Sequence, residues 1–127
     1  MLHAGIDLGS KTVKLVVFDD ALEVLYSSYE RHLSNVFETL AYTLKNASVH
    51  FPCEAMTFGV TGSAGMQLAE LLGLPFTQEV VSVRSAIKTL IPQTDIAIEI
   101  GGEDSKILFL TGGEELRMNS TCAGGTG

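Results

Sequence analysis

Apolar residues in the first thirty positions alternate with polar ones or cluster over short stretches, which is the spacing of strands rather than helices. Gly5-Ile6-Asp7-Leu8-Gly9 predicts a short buried strand running into a turn. Val13-Lys14-Leu15-Val16-Val17-Phe18 has the β-branched, apolar composition of a central strand. Asp19-Asp20-Ala21 makes a tight turn before a third strand over 24–29. Links this short leave no room for a crossover, so the three strands form an antiparallel meander.

The period changes after Ser34. Val36, Phe37, Leu40, Ala41 and Leu44 fall on one helical face, with Ser34 placed to cap it. A strand over 55–60 follows. Thr61-Gly62-Ser63 then leads into a second helix carrying Met66, Leu68, Ala69, Leu71 and Leu72, stopped at Gly73 with Pro75 beyond. Ser82 caps a third helix with Val83, Ala86, Ile87, Leu90 and Ile91 inward, ended by Pro92. Strands over 96–100 and 106–110 are joined by Gly101-Gly102-Glu103-Asp104-Ser105. Thr111-Gly112-Gly113-Glu114 is a turn signal before Leu116-Arg117-Met118. A meander followed by alternating helices and strands predicts an α/β fold on a mixed sheet. The helical Phe and Leu positions read as core, not as a cofactor pocket.

Composition narrows the choice. The 127 residues are one domain's worth, and 46% hydrophobic against 18% charged is enough to bury a core, which excludes intrinsic disorder. Fifteen acids against eight bases give a net charge of −7 without a Lys/Arg run, which argues against nucleic acid and against an anionic membrane surface as partners. No apolar stretch reaches the roughly 18–20 residues of a membrane-spanning helix, and the first residues carry no basic secretory leader. Two cysteines, Cys53 and Cys122, are too few for a disulfide framework, so the expected location is the reducing cytoplasm. His3, His32 and His50 are too scattered to suggest a metal site.

The chemistry lies in two glycine turns. The first reads Ile6-Asp7-Leu8-Gly9-Ser10-Lys11-Thr12-Val13-Lys14, the second Ile98-Glu99-Ile100-Gly101-Gly102-Glu103-Asp104-Ser105-Lys106. In each an apolar strand meets a carboxylate, a glycine, a hydroxyl and a lysine, and a second apolar strand follows. Both read as hairpins whose tips expose backbone N–H groups, the geometry that holds phosphate oxygens. Ser10, Thr12 and Ser105 can donate further bonds, and Lys14 or Lys106 can neutralise charge. Asp7 and Asp104 would repel bare phosphate and make sense with Mg²⁺ between. Two ordinary hairpins remain the alternative. A strand rather than a helix follows each glycine, and the Walker and dinucleotide-fold spacings are absent, which disfavours those two nucleotide folds. The closing Cys122-Ala123-Gly124-Gly125-Thr126-Gly127 looks like the opening of a further element, so the chain reads as a fragment.

Asp7-Leu8-Gly9-Ser10 with Lys14 resembles the first phosphate motif of the superfamily of actin, sugar kinases and heat-shock chaperone ATPases. Ile100-Gly101-Gly102-Glu103-Asp104-Ser105-Lys106, together with the Cys122 to Gly127 segment, is similar to the CoA-substrate-specific enzyme activases. These activate 2-hydroxyacyl-CoA dehydratases or serve as ATPase subunits of benzoyl-CoA reductases. Glu103 resembles the long multidomain members, since shorter ones often carry Gln there.

That resemblance implies an actin-like ATPase fold, of which 1–127 is the N-terminal half. It implies a homodimer sharing one [4Fe–4S] cluster, with ATP turnover driving an electron onto a CoA-ester dehydratase or reductase. Cys122 matches one of two cluster ligands per subunit; Cys53 does not match the other. Two thiolates from each of two subunits would complete a four-cysteine shell, whereas one from each would not. Asp7 would hold Mg²⁺ through water. Gly9, Ser10, Lys11 and Thr12 would face the β- and γ-phosphates, with Lys14 nearby. Gly101, Gly102, Ser105 and Lys106 would form the opposing clamp, with Gly124, Gly125 and Thr126 beside it. Asp104 is a second carboxylate for metal or water, and Glu103 orients the attacking water or is an exposed turn acid. Phosphoryl transfer asks mainly for such positioning and charge stabilisation. A small-molecule kinase of the same superfamily and a nucleotide binder without turnover are the competing readings. A kinase has no need of Cys122. All of them require the Gly9 and Gly102 tips to meet at one rim.

Overall fold

The structure, a computed structural model, describes residues 1–110 and the backbone of 117–122. The chain divides into two compact units, Met1–Glu79 and Val80–Gly127. The mixed sheet belongs to the first unit, and the later strands form a sheet of their own.

In the first unit β1 (Leu2–Leu8), β2 (Thr12–Phe18) and β3 (Val24–Arg31) form the expected meander. Strand β4 (Met56–Thr61) adds to the free side of β1, parallel to it, after the crossover helix α1 (Val36–His50). The order is β3-β2-β1-β4. A parallel bridge between Val60 and Phe76 begins a fifth position beyond β4.

Period-2 alternation does the sorting. Ala4, Ile6 and Leu8 of β1 and Val13, Leu15 and Val17 of β2 are all buried, and they share one core cluster with Leu40 and Ala47 of α1 and with Leu68 and Ala69 of α2 (Gly65–Leu72). Each fully buried Val or Leu contributes about 1.5–3 kcal/mol. Helix α2 stops as expected: Gly73 is left-handed at φ 64°, and its N–H bonds back into the last turn.

The face of α1 is rotated from the expected one. Leu40, Thr43 and Ala47 are buried, whereas Phe37 is 57% exposed. Nor does Ser34 cap the helix; Asn35 precedes it without a side-chain bond, and Ser34 has φ 73°. The far end of α1 is seated by rings, with Tyr26 of β3 5.2 Å from His50 and 6.4 Å from Phe51.

The second unit carries most of α3 (Glu79–Leu90) and the antiparallel sheet β5 (Ile96–Ile100), β6 (Asp104–Phe109) and β7 (Arg117–Cys122), in that order. Helix α3 starts three residues before Ser82, with Glu79 in its first turn. Its expected inward residues are not buried: Leu90 is exposed, as is Ile91 just beyond. Leu108 is the buried centre of β6. No helix among the described residues is long and apolar enough to cross a membrane.

The start of β1 is clasped to the β2–β3 turn. Asp20 receives the Met1 amine and, at 3.0 Å, Nε2 of His3, whose Nδ1 lies 2.7 Å from the Thr57 hydroxyl. Bonding to the amine and to His3 lowers the Asp20 pKa from its ordinary 3.8, and bonding to Asp20 raises that of the amine from 8.0. The depressed carboxylate contributes fully above pH 3.8, and its share is lost as the pH falls through the folded value. The raised amine contributes fully below pH 8.0, and its share is lost as the pH rises through its folded value. Asp20→Asn is therefore expected to lower Tm slightly between these limits and to match the native chain well outside them. Thermal melts of both proteins across pH 3–9 check this; a difference independent of pH would refute it.

Candidate functional site

Both glycine turns are closed by the same backbone hydrogen bond. In the first, the Gly9 N–H donates to the Thr12 carbonyl at 2.9 Å, closing the hairpin over Ser10 and Lys11. In the second, the Gly101 N–H donates to the Asp104 carbonyl at 2.8 Å, closing over Gly102 and Glu103. Each tip is thus two residues long, and Ser10, Lys11 and Glu103 are exposed. A side chain at Gly101 would come within 3.0 Å of Asp104 Oδ1 and 3.2 Å of its carbonyl, so the tightness of that turn favours glycine.

Strand register extends the likeness. Asp7 stands opposite Lys14 across the first hairpin, and Glu99 stands opposite Lys106 across the second. Glu99 therefore holds the place in its hairpin that Asp7 holds in the other, while Asp104 corresponds to Thr12. Sequence reasoning passed over Glu99. Aligning the two glycines, Gly9 with Gly101, is the signal that finds it.

The charges are placed as follows. Lys14 Nζ donates to Asp7 Oδ2 at 2.8 Å and lies 5.6 Å from the centre of the Tyr29 ring. In the second unit Lys106 pairs with Asp104 at 2.9 Å, and its side chain is only 11% exposed. Both lysines are thus held at their hairpins by carboxylates, poised beside the tips rather than at them. Ser105 lies on β6 next to Lys106. Glu103 is exposed at its tip, and Cys122 ends β7 opposite Asp104 in register. Gly124, Gly125 and Thr126 lie outside the described residues.

A third segment joins the first turn. The loop after β4 folds back so that the Ala64 N–H donates to the Leu8 carbonyl at 2.9 Å. Gly62, with φ 98°, is pressed against the end of β1: a Cβ there would stand 2.3 Å from the Leu8 carbonyl oxygen and 2.6 Å from Asp7 Oδ1. The cradle around Asp7 is thus backbone on one side and the Lys14 ammonium on the other. Oxygen donors of this kind, a carboxylate with the hydroxyl of Thr12 close in sequence, suit a hard cation such as Mg²⁺ held through water. Among the described residues no group of three or more His, Cys, Asp or Glu could hold a metal, and Cys53 is exposed.

No family model matches the chain. The (R)-2-hydroxyglutaryl-CoA dehydratase activating ATPase of Acidaminococcus fermentans is 27% identical over 128 aligned positions, covering 97% of this chain and 48% of that protein. The solved structure of component A of that dehydratase matches 95% of this chain and 47% of its own, at 22% identity and a TM-score of 0.76. The activator of the 2-hydroxyisocaproyl-CoA dehydratase from Clostridium difficile, solved with ADPNP bound, matches at 22% identity and a TM-score of 0.68, over 96% and 46%. The fold is the actin-like ATPase fold, and the likeness to the activases read from the glycine turns is found again in these relatives. The chain spans about half the length of the curated relatives it matches.

Proposed function

We propose that this chain, a relative of the 2-hydroxyacyl-CoA dehydratase activators, is the N-terminal, phosphate-binding half of such an ATP-dependent activator, working with a CoA-ester dehydratase or reductase. The observation that carries the reading is the doubled turn: the Gly9 and Gly101 N–H groups each close a two-residue tip, with an acid facing a lysine in the strand register behind it. One tip alone is common among hairpins. Two, each with its acid facing a lysine in the same register, are what binding of a polyphosphate at more than one point would use.

In this reading the backbone N–H groups of Ser10, Lys11 and Thr12 bind the terminal phosphates. Gly101, Gly102 and Ser105 supply a second set of phosphate donors, with Lys106 supplying charge and Asp104 or Glu103 holding the attacking water. Magnesium, when bound, supplies neutralisation of the charge that builds on the phosphoryl oxygens. Asp7 would hold it through water. Two related domains closing on ATP and opening on ADP would convert hydrolysis into movement relative to the partner enzyme.

The electron-transfer half of the family's work would need two thiolates from each of two subunits. Cys122 would be one of them.

Calorimetry with Mg-ATP tests the reading. Binding to the isolated chain is expected to be weak, at least tenfold weaker than to a protein extended through the second half, because an open half-site leaves the phosphates in water. Equal affinities would refute the half-site argument. No binding by either protein would refute the nucleotide reading itself.

A further inference from the structure

His32 is the buried histidine of the first unit, 6% exposed at the end of β3, and the phosphate-turn reading gives it no task. Its bonds do. The backbone N–H of Ser34 lies 3.1 Å from Nδ1, and an N–H can only donate, so Nδ1 is the bare acceptor nitrogen. Nε2 must then carry the proton, and it lies 3.2 Å from the carbonyl oxygen of Gly9, which can only accept. The backbone N–H of His32 also donates to the Lys11 carbonyl, at 3.1 Å. One residue therefore takes a carbonyl on either side of Ser10, both from 21 or more positions away in sequence.

The conformation around His32 is costly. Leu33 and Ser34, neither of them glycine, both have positive φ, 46° and 73°. Such residues cost on the order of 1–3 kcal/mol each and persist where surrounding structure over-determines them. Here the result is that Ser34 N–H reaches Nδ1 and turns the ring so that Nε2 faces Gly9. Asn35 N–H donates back to the His32 carbonyl at 2.7 Å and locks the bend.

We infer that His32 is a positioning residue for the phosphate turn. By taking the Gly9 and Lys11 carbonyls, it holds the Gly9–Ser10 and Lys11–Thr12 peptide planes so that the N–H groups of the tip point outward together, ready for an anion. The inference rests on the reading of the Gly9 turn as phosphate-binding. A merely structural histidine, tying only its own bend, would depend on the Nδ1 bond alone.

Two substitutions separate these roles because each keeps one nitrogen's position. In His32→Gln the side-chain amide nitrogen sits as many bonds from Cβ as Nε2 and can still donate to Gly9. In His32→Asn the side-chain oxygen sits where Nδ1 does and can still accept from Ser34, as in an Asx turn, but nothing reaches Gly9. Three measurements are made on the full chain: affinity for Mg-ATP by calorimetry, amide hydrogen exchange at Gly9 by NMR, and the ¹⁵N shifts of the native His32 ring. His32→Gln is expected to bind within about twofold of the native chain. His32→Asn should bind roughly three- to tenfold more weakly, the worth of one lost hydrogen bond. Gly9 exchange should quicken in the Asn variant alone, and the ring should report the Nε2–H tautomer.

The inference is overturned if His32→Asn keeps native affinity and Gly9 protection, if both variants lose them equally, or if the ring carries its proton on Nδ1. Should neither the native chain nor a protein extended through the second half bind Mg-ATP, the phosphate reading falls separately. Gly9 exchange still decides whether His32 holds the turn.

Discussion

Gly62→Ala is expected to lower the thermal midpoint by on the order of 10 °C and to abolish nucleotide binding in the fraction that still folds. The added methyl has nowhere to go. Its nearest neighbours are the carbonyl oxygen and carbon of Leu8, at 2.3 Å and 2.5 Å, and these belong to a central strand paired on both sides. A flexible side chain could yield; a strand backbone cannot without breaking the Ala64-to-Leu8 bond that seats the loop. The backbone angle adds to the clash, since φ 98° lies in a region that only glycine adopts cheaply. Overpacking and a forbidden φ each cost about 1–3 kcal/mol, so together they remove on the order of 3 kcal/mol or more. For a chain of this size each kcal/mol moves the midpoint by about 3–5 °C. Gly59→Ala is the control: it lies three residues earlier on β4, and a Cβ there meets nothing within 4 Å. That variant should melt within a few degrees of the native chain. Equal melting of the two variants would show that the Gly62 loop does not press on β1.

In the sequence Thr61-Gly62-Ser63 reads as the lead into a helix, and nothing local marks Gly62. A glycine between a strand and a helix has an ordinary explanation in the turn itself. What makes this one matter is its contact with Leu8 and Asp7, more than fifty positions earlier. His32 escaped notice for the same reason, since nothing local marks a histidine whose partners are the Gly9 and Lys11 carbonyls. The meander and the stop at Gly73 were legible because their causes are local: short links, alternating apolar residues, a glycine at the helix end. Helix α1 shows the limit of periodicity. Phe37 and Leu40 fit one apolar stripe as well as Leu40, Thr43 and Ala47 fit the buried one, and the sheet surface beneath chose the smaller residues. Ser34 had the composition of a cap, but the demand of the His32 bend for a left-handed residue took it out of capping geometry. The two turns were visible as a pair, yet the acid that matches Asp7 was not, because Glu99 is identified by which residue faces Lys106 across the hairpin.

Asp7→Asn is expected to leave the fold intact and to separate the two forms of nucleotide. Asp7 and Lys14 are 31% and 41% exposed, so their ion pair sits in screened surroundings, and losing it should cost no more than about 1 kcal/mol. The amide also keeps the shape that Gly62 packs against. The consequence for the nucleotide depends on what the carboxylate faces. If it holds Mg²⁺ through water, neutralising it removes an anchor for the cation, and affinity for Mg-ATP should fall at least tenfold. A carboxylate repels phosphate in the absence of metal, and the variant also releases Lys14 from its partner. Affinity for metal-free ATP should therefore stay the same or rise. Hydrolysis by a protein containing both halves should fall by two orders of magnitude or more, because charge neutralisation on the transferred group is lost together with the metal. The opposite signs for the two nucleotide forms matter most here, since a general loosening of the site would weaken both. Calorimetry with ATP in the presence of magnesium and in the presence of a chelator supplies the comparison. If both affinities fall together, Asp7 acts through the packing of the turn and the metal must be held elsewhere. If neither changes, the end of β1 is not where the nucleotide sits.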